Sequence, residues 1–211
     1  MTYILIHGSG HKATSWGETI SYMANDKEIL CPDLSTILNG KEASYSNLYN
    51  SFVEYCNEAD GKINLCGLSL GGILALNYVL DFPDKVNSLV LIGTPHKVPK
   101  ITFGIQRMIS GLLPKSIFKN MAFSKKDNSI LGNSMRNLDF SHRAKDVKCS
   151  TLIICGEKDS ANIKSARFLA ENIKSAKLAI LENVGHVVNE ESPKSLAQEL
   201  NEFYQLSMVT K

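Results

Sequence analysis

Short apolar runs recur along the chain and alternate with longer stretches of helical periodicity. The runs are rich in Ile, Leu, Val and Cys and lack a polar residue at every second position, so we expect strands that are buried on both faces. The runs occupy residues 3–7, 28–33, 63–67, 88–93, 150–156 and 177–182.

Three of the intervening stretches have the apolar spacing of helices. Residues 70–80 are apolar around most of their circumference, whereas residues 164–173 and 194–206 each have one apolar and one charged face. Alternation of strand and helix is typical of right-handed crossovers. The pattern therefore predicts an α/β fold with a sheet of about six mainly parallel strands and helices on both faces.

The region between the fourth and fifth predicted strands contains no strand candidate and is expected to form a lid. Residues 101–113 are predicted to form an amphipathic helix that Pro114 ends, and residues 116–123 have similar spacing. The expected apolar lid face comprises Ile105, Met108, Ile109, Leu112 and Phe118. We therefore predict a single domain over 1–211 with a lid inserted at about 96–140.

The charge of this insertion differs from that of the whole chain. Residues 96–136 hold eight Lys and Arg against one Asp, whereas the 211-residue chain has a net charge of only +2. The small overall charge argues against a nucleic-acid partner. The basic lid either forms a solvated surface or attracts anionic substrates.

Cysteine usage and the absence of long apolar segments predict a cytoplasmic protein. The five cysteines are odd in number and form no C-x-x-C pair, which favours reduced thiols packed as small apolar groups. Met1 leads directly into an apolar strand without a secretory leader, and no stretch approaches the length of a membrane span. We expect a monomer or homodimer without stable membrane insertion.

The segment GLSLG at 67–71 carries the strongest chemical signal. It matches G-x-S-x-G and lies between a predicted strand and a predicted helix, where a sharp turn needs glycines and exposes the hydroxyl of Ser69. The helix N-terminus there also favours developing negative charge. Alternatively, Ser69 is an ordinary N-cap.

A nucleophilic serine requires a base and a carboxylate. His186 lies in the loop after the last predicted strand, and loops that follow parallel strands meet at one edge of the sheet. Asp159 and Glu157 follow the fifth strand; we assign the orienting role to Asp159, because Glu157 lies inside the turn. The chain order of Ser69, Asp159 and His186 fits the G-x-S-x-G arrangement.

Acyl transfer also needs N–H donors for the oxyanion. The N–H of Leu70 directly follows the serine, and the Ser9 N–H in the glycine-containing loop after the first strand is the second candidate. His7 is expected to shape that loop. His11, His96 and His142 are assigned to surface or lid positions, and His96 is also a candidate for the pocket entrance.

Together these segments resemble the α/β-hydrolase superfamily along nearly the whole chain. The resemblance rests on ILIHGSG (4–10), LCGLSLGGILAL (65–76), LIICGEKD (152–159) and LENVGHVVNEESP (181–193). It implies an oxyanion loop, a nucleophile elbow, an acid loop and a histidine loop in that order. The chain departs from the family pattern in lacking the leading antiparallel hairpin and in its short cap, which implies an open pocket.

These features predict a serine hydrolase that cleaves small carboxylic esters through an acyl-enzyme, without a metal or organic cofactor. Relatives that resemble haloalkane dehalogenases or epoxide hydrolases carry aspartate at the elbow, which the serine here argues against. The apolar lid face suits an aliphatic or aromatic substrate group. The alternatives are a thioesterase or a C–C bond-cleaving relative that acts on anionic substrates, and a non-catalytic ligand-binding module.

Overall fold

A six-stranded parallel sheet forms the centre of the molecule. The computed structural model describes residues 1–24, 28–98 and 121–209, with side chains to residue 206. The strand order is β2-β1-β3-β4-β5-β6, and all five pairings are parallel. The sequence predicted about six mainly parallel strands, and this prediction is confirmed. The strands are β1 (Thr2–Ile6), β2 (Glu28–Leu30), β3 (Ile63–Leu68), β4 (Val86–Ile92), β5 (Ser150–Gly156) and β6 (Ala176–Leu181).

Helices connect the strands and cover the sheet. In the described part of the chain they are α1 (Gly17–Ser21), α2 (Leu34–Ile37), α3 (Tyr45–Asn57), α4 (Leu70–Asp81), α5 (Lys125–Met135), α6 (Ile163–Asn172), α7 (Val188–Glu191) and α8 (Pro193–Val209). Helices α4, α6 and α8 correspond to the three predicted from periodicity. None of the helices in the described ranges is long and apolar enough to cross a bilayer.

The two faces of the sheet form separate hydrophobic cores. In β1, Ile4 and Ile6 contribute to the core beneath α3, α4 and α6, whereas Tyr3 and Leu5 contribute to the core beneath α1 and α8. Because helices cover both faces, successive residues of the four inner strands are almost all buried. This double burial is why those strands have no alternating polar pattern.

The edge strands depart from the expectation of burial on both faces. All three residues of β2 are partly or fully exposed, and only Leu181 is fully buried in β6. An edge strand has one neighbouring strand and less helical cover. In β6, Leu178 is 39% exposed. The apolar run at 177–182 therefore predicted the strand correctly but not the burial of each of its residues.

The described part of the insertion is attached to the domain at its base. The carbonyl of His96 accepts from Phe140 N (2.8 Å), the Leu138 carbonyl accepts from Val98 N (3.0 Å), and an ion pair joins Lys97 to Asp139 (2.8 Å). Beyond this base, α5 packs on α3, where Ser134 Oγ accepts a hydrogen bond from Tyr45 N (2.8 Å).

The predicted lid itself is described only in part. The predicted helix at 101–113 and most of the one at 116–123 lie outside the described residues, as does the whole predicted apolar face: Ile105, Met108, Ile109, Leu112 and Phe118. Helix α5 lies within the insertion and was not predicted. The division of the chain into one domain with a lid remains a prediction.

Candidate active site

The predicted site residues lie in loops that follow the carboxyl ends of the strands. Ser9 follows β1, Ser69 follows β3, Asp159 follows β5 and His186 follows β6. All strands are parallel, so these loops emerge at the same edge of the sheet.

Ser69 has an unusual backbone conformation at the turn between β3 and α4. Its φ is 53° and its ψ is −110°, which is strained for a residue with a side chain, and its N–H donates to Ile92 O (2.9 Å). An ordinary N-cap has extended backbone angles and accepts a hydrogen bond from its helix. Within the described residues the Ser69 side chain makes no such bond to α4. The geometry therefore disfavours the N-cap alternative.

The glycines around Ser69 are required by close backbone contacts. A Cβ on Gly71 would lie 2.2 Å from the carbonyl oxygen of Ile6, and one on Gly67 would lie 2.3 Å from Gly71 C. Because these neighbours are backbone atoms, they cannot move aside without displacing β1 or α4. The G-x-S-x-G spacing thus reflects two close backbone contacts, that of Gly67 with the start of α4 and that of Gly71 with the end of β1.

We expect Gly71→Ala to destabilise the fold strongly. The new methyl group would collide with the β1 backbone, and overpacking of this kind costs about 3 kcal/mol or more, or roughly 6–12 °C in the melting temperature. Thermal unfolding followed by circular dichroism measures the loss. Gly17→Ala is the matched control, because a Cβ there would meet nothing within 4 Å. Equal melting temperatures for the two variants would contradict the packing argument.

Asp159 and His186 form a direct side-chain pair. His186 Nδ1 lies 2.7 Å from Asp159 Oδ2, and Asp159 is only 4% exposed. Burial raises the pKa of Asp159, but hydrogen bonds from His186 and Asn162 outweigh it and bring the pKa below its usual value. The carboxyl group is therefore ionised at neutral pH and able to accept a hydrogen bond from the imidazole N–H.

Glu157 has a different environment. It is exposed, and its Oε2 accepts a hydrogen bond from Asn183 N (2.9 Å). Asn183 has a positive φ of 62°, so Glu157 binds the backbone of the tight turn before His186. Of the two acids considered from sequence, the structure pairs Asp159 with the imidazole.

Gly93 connects the Asp159–His186 pair to the Ser69 turn. A Cβ on Gly93 would lie 3.0 Å from His186 Nδ1 and 3.1 Å from Asp159 Oδ2. Its neighbour Ile92 accepts the Ser69 N–H, so the pair and the serine turn contact adjacent residues at the end of β4. The left-handed φ of 51° at Gly93 and the absence of a side chain leave room for the pair.

The loop after β1 lies directly against Ser69. A Cβ on Gly8 would be 3.6 Å from Ser69 Cβ, and Ser9 follows it in a half-buried position. His7 Nδ1 donates to Gly8 O (2.8 Å) while His7 Nε2 accepts from Leu34 N (3.0 Å). Burial lowers the pKa of His7, consistent with this neutral, turn-shaping role.

Leu70 is the first residue of α4 and is buried. The N–H groups of the first helical turn have no acceptor one turn earlier. The Leu70 N–H thus has the backbone position expected of an oxyanion donor beside Ser69.

Two further residues at the site were not predicted from sequence. Asn162 Nδ2 lies 3.0 Å from each carboxylate oxygen of Asp159 and 3.2 Å from His186 Nδ1. Its backbone N–H also donates to Asp159 Oδ1 (3.2 Å), whereas its side chain does not cap α6. An aspartate that binds the backbone a few residues further on is a common local arrangement, so this spacing was a usable signal.

His11 is the second, and it is half-buried near the pair instead of at the surface. Burial lowers its pKa; Glu190, 3.9 Å away, opposes this lowering, and the nearby His186 adds to it. The pattern of residues around His11 gave no signal of this position.

Of the residues predicted for the pocket and lid, His96 is the one that lies within the described ranges, and it contacts α6. Its Nδ1 lies 3.0 Å from Ser165 Oγ and its ring stacks on Phe168 with 4.1 Å between centroids. His142 is exposed. A role for His96 at the pocket entrance remains a prediction.

The chain resembles known proteins across most of its length. A model of the alpha/beta hydrolase family matches residues 3–199. The 2-hydroxy-6-oxononadienedioate/2-hydroxy-6-oxononatrienedioate hydrolase of Escherichia coli O139:H28 (strain E24377A / ETEC) is 28% identical over 233 aligned positions, which cover 88% of this chain and 80% of that protein.

Solved structures share the fold at low sequence identity. A malate-bound thermophilic esterase from Thermogutta terrifontis superposes with a TM-score of 0.83 at 18% identity, covering 98% of this chain and 90% of that one. The enol-lactonase of Burkholderia xenovorans LB400 gives a TM-score of 0.79 at 16% identity, covering 97% and 91%. With the family match over nearly its full length, the chain belongs to the alpha/beta hydrolase family.

Proposed function

We propose that the protein is a serine hydrolase that cleaves small carboxylic esters through an acyl-enzyme intermediate. The observation that carries the proposal is the 2.7 Å contact between Asp159 and His186, at the sheet edge where Ser69 has its strained, positive φ. Strained backbone at an edge rich in titratable groups is typical of active sites.

The proposed reaction begins with proton transfer from Ser69 to His186. His186 donates through Nδ1 to the ionised Asp159, so its Nε2 is left as the acceptor for the Ser69 hydroxyl proton. Ser69 Oγ attacks the ester carbonyl, and the N–H groups of Leu70 and Ser9 stabilise the oxyanion. His186 then protonates the leaving alcohol, and water, activated by the same imidazole, releases the acid.

A fluorophosphonate probe tests this proposal directly. The probe phosphorylates activated serines, so we expect one labelled peptide, containing Ser69, in the native protein and none after heat denaturation. An ester library then defines acyl length and leaving group. Labelling at another serine, or none in the native protein, would overturn the assignment.

A C–C bond hydrolase acting on an anionic substrate is the second candidate. It is favoured by the relative from Escherichia coli, whose name denotes a hydrolase of dienedioate and trienedioate compounds, which carry two carboxylates. The net charge of +7 across residues 96–136 is consistent with such a substrate. The same serine, histidine and aspartate would serve either reaction, so the substrate distinguishes the candidates.

Matched neutral and anionic esters test recruitment by the basic segment. If the segment attracts anions, kcat/KM should be higher for the anionic ester at low salt, and this preference should decline as the Debye length falls from about 30 Å at 0.01 M to about 10 Å at 0.1 M salt. The neutral ester is the internal control. A preference that is absent or insensitive to salt would argue for a merely solvated lid surface.

A further inference from the structure

We infer that Glu191 is a positioning residue for His186, an inference that rests on the proposed function of the site. Glu191 Oε2 accepts a hydrogen bond from Gly185 N (2.6 Å), and Glu191 Oε1 accepts one from Val187 N (3.0 Å). One carboxylate therefore binds the backbone N–H groups on both sides of His186.

These two bonds restrain the backbone on both sides of His186. The Val187 N–H belongs to the peptide group directly after His186, and the Gly185 N–H belongs to the peptide group one residue before the one that precedes it, so one carboxylate fixes the backbone from which the imidazole projects. The Glu191 backbone N–H donates to Val187 O (2.8 Å), so side chain and backbone together close a ring around the start of α7. A Cβ on Gly185 would lie 2.8 Å from Glu191 Oε1, which shows how closely the carboxylate approaches the loop.

Helix α7 is itself anchored to the segment after β1. Asn189 is fully buried, its Nδ2 donates to Ser15 O (3.0 Å), and its backbone carbonyl accepts from Thr19 Oγ1 (3.2 Å). Because Glu191 belongs to the same helix, its carboxylate holds the His186 loop in register with the segment that follows Ser9. The Glu191 carboxylate thus helps to fix the position of His186 relative to the proposed oxyanion loop as well as to Asp159.

A purely structural role would be that of a helix cap, and Asp33 provides the comparison. Its Oδ1 accepts from Ser35 N (3.1 Å) and Thr36 N (3.2 Å) at the start of α2, in a loop that carries no proposed catalytic residue. Asp33→Ala removes two carboxylate–amide bonds, as Glu191→Ala does, and also the hydrogen bonds that Asp33 accepts from the hydroxyls of Ser35 and Thr36. If both carboxylates were only caps, both variants would lose stability and neither would change the chemical step.

The test compares Glu191→Ala, Glu191→Gln and Asp33→Ala in the full chain. Small displacements of a catalytic group reduce rates by up to about 100-fold, so we expect Glu191→Ala to lower kcat roughly 10- to 100-fold with little change in KM. Glu191→Gln keeps one acceptor oxygen and should be intermediate. Asp33→Ala should lower the melting temperature at least as much while leaving kcat near the wild-type value.

A readout that needs no turnover separates this inference from the proposed function. The proton shared by His186 Nδ1 and Asp159 should give a far-downfield NMR resonance in the wild type, and it should broaden or vanish in Glu191→Ala but persist in Asp33→Ala. A wild type unlabelled by fluorophosphonate would overturn the proposed function, and the resonance would still decide whether Glu191 holds the imidazole. An unchanged resonance, or equal kcat in Glu191→Ala and wild type, would overturn the inference.

Discussion

Replacement of Ser69 by alanine is expected to lower kcat on the order of 10⁶-fold, because no other group takes over acyl transfer once the nucleophile is gone. His186→Ala should cause a loss of similar size, since without the base the hydroxyl keeps its proton. The two effects should not add, because the residues act as one unit. Steady-state kinetics with the best ester of the library measures both single variants and the double variant.

Suitable controls exist for both substitutions. Ser21 and His142 are exposed residues outside the site, so Ser21→Ala and His142→Ala should retain wild-type kcat. The residual rate in Ser69→Ala and His186→Ala should stay above the rate in water alone, because the proposed oxyanion donors Leu70 and Ser9 are unchanged. Substantial turnover in Ser69→Ala would refute the acyl-enzyme mechanism.

The sequence was sufficient to predict the sheet and the meeting of the site loops. The loops that follow parallel strands emerge at one edge of the sheet, so the order of apolar runs was enough to predict that the loops of Ser69, Asp159 and His186 share that edge. The sequence was also sufficient to predict a sharp turn at the glycines around Ser69, because a close backbone contact leaves few alternatives to glycine at those positions.

Helix α3 was missed for a physical reason. Its buried residues Leu48, Phe52 and Cys56 recur every four positions, but polar residues and tyrosines between them dilute the apolar pattern. The Ser44 side chain, which accepts from Asn47 N (3.3 Å), was the available N-cap signal. In a segment without strand candidates, weak helical periodicity that follows a good N-cap residue thus predicts a helix.

The supporting contacts of the site depend on loop geometry that spacing alone does not determine. Glu191 reaches back to Gly185 and Val187 because α7 begins two residues after His186 and is only four residues long. The burial of His11 beside Gly8 likewise follows from the path of the loop after β1. Predicting such contacts requires the three-dimensional course of the backbone, whereas the number of strands and their parallel pairing followed from the sequence pattern.

Asp159→Asn is expected to lower kcat about 10⁴-fold while leaving the fold intact. The amide has nearly the same shape as the carboxylate, but its NH₂ group can donate to His186 Nδ1. The imidazole then carries its proton on Nε2 and cannot accept one from Ser69. Asn162 already donates to both Asp159 oxygens at 3.0 Å, so only one oxygen of the new amide can preserve that contact.

Glu157→Gln is the matched control for this substitution. Both variants remove one negative charge from the same loop, but Glu157 is exposed and binds Asn183 N instead of His186. We expect it to keep kcat close to wild type, with at most a small loss of stability because one amide oxygen still accepts the backbone bond. If Glu157→Gln were inactive and Asp159→Asn active, the orienting carboxylate would be Glu157, and the 2.7 Å pair of Asp159 and His186 would have only a structural role.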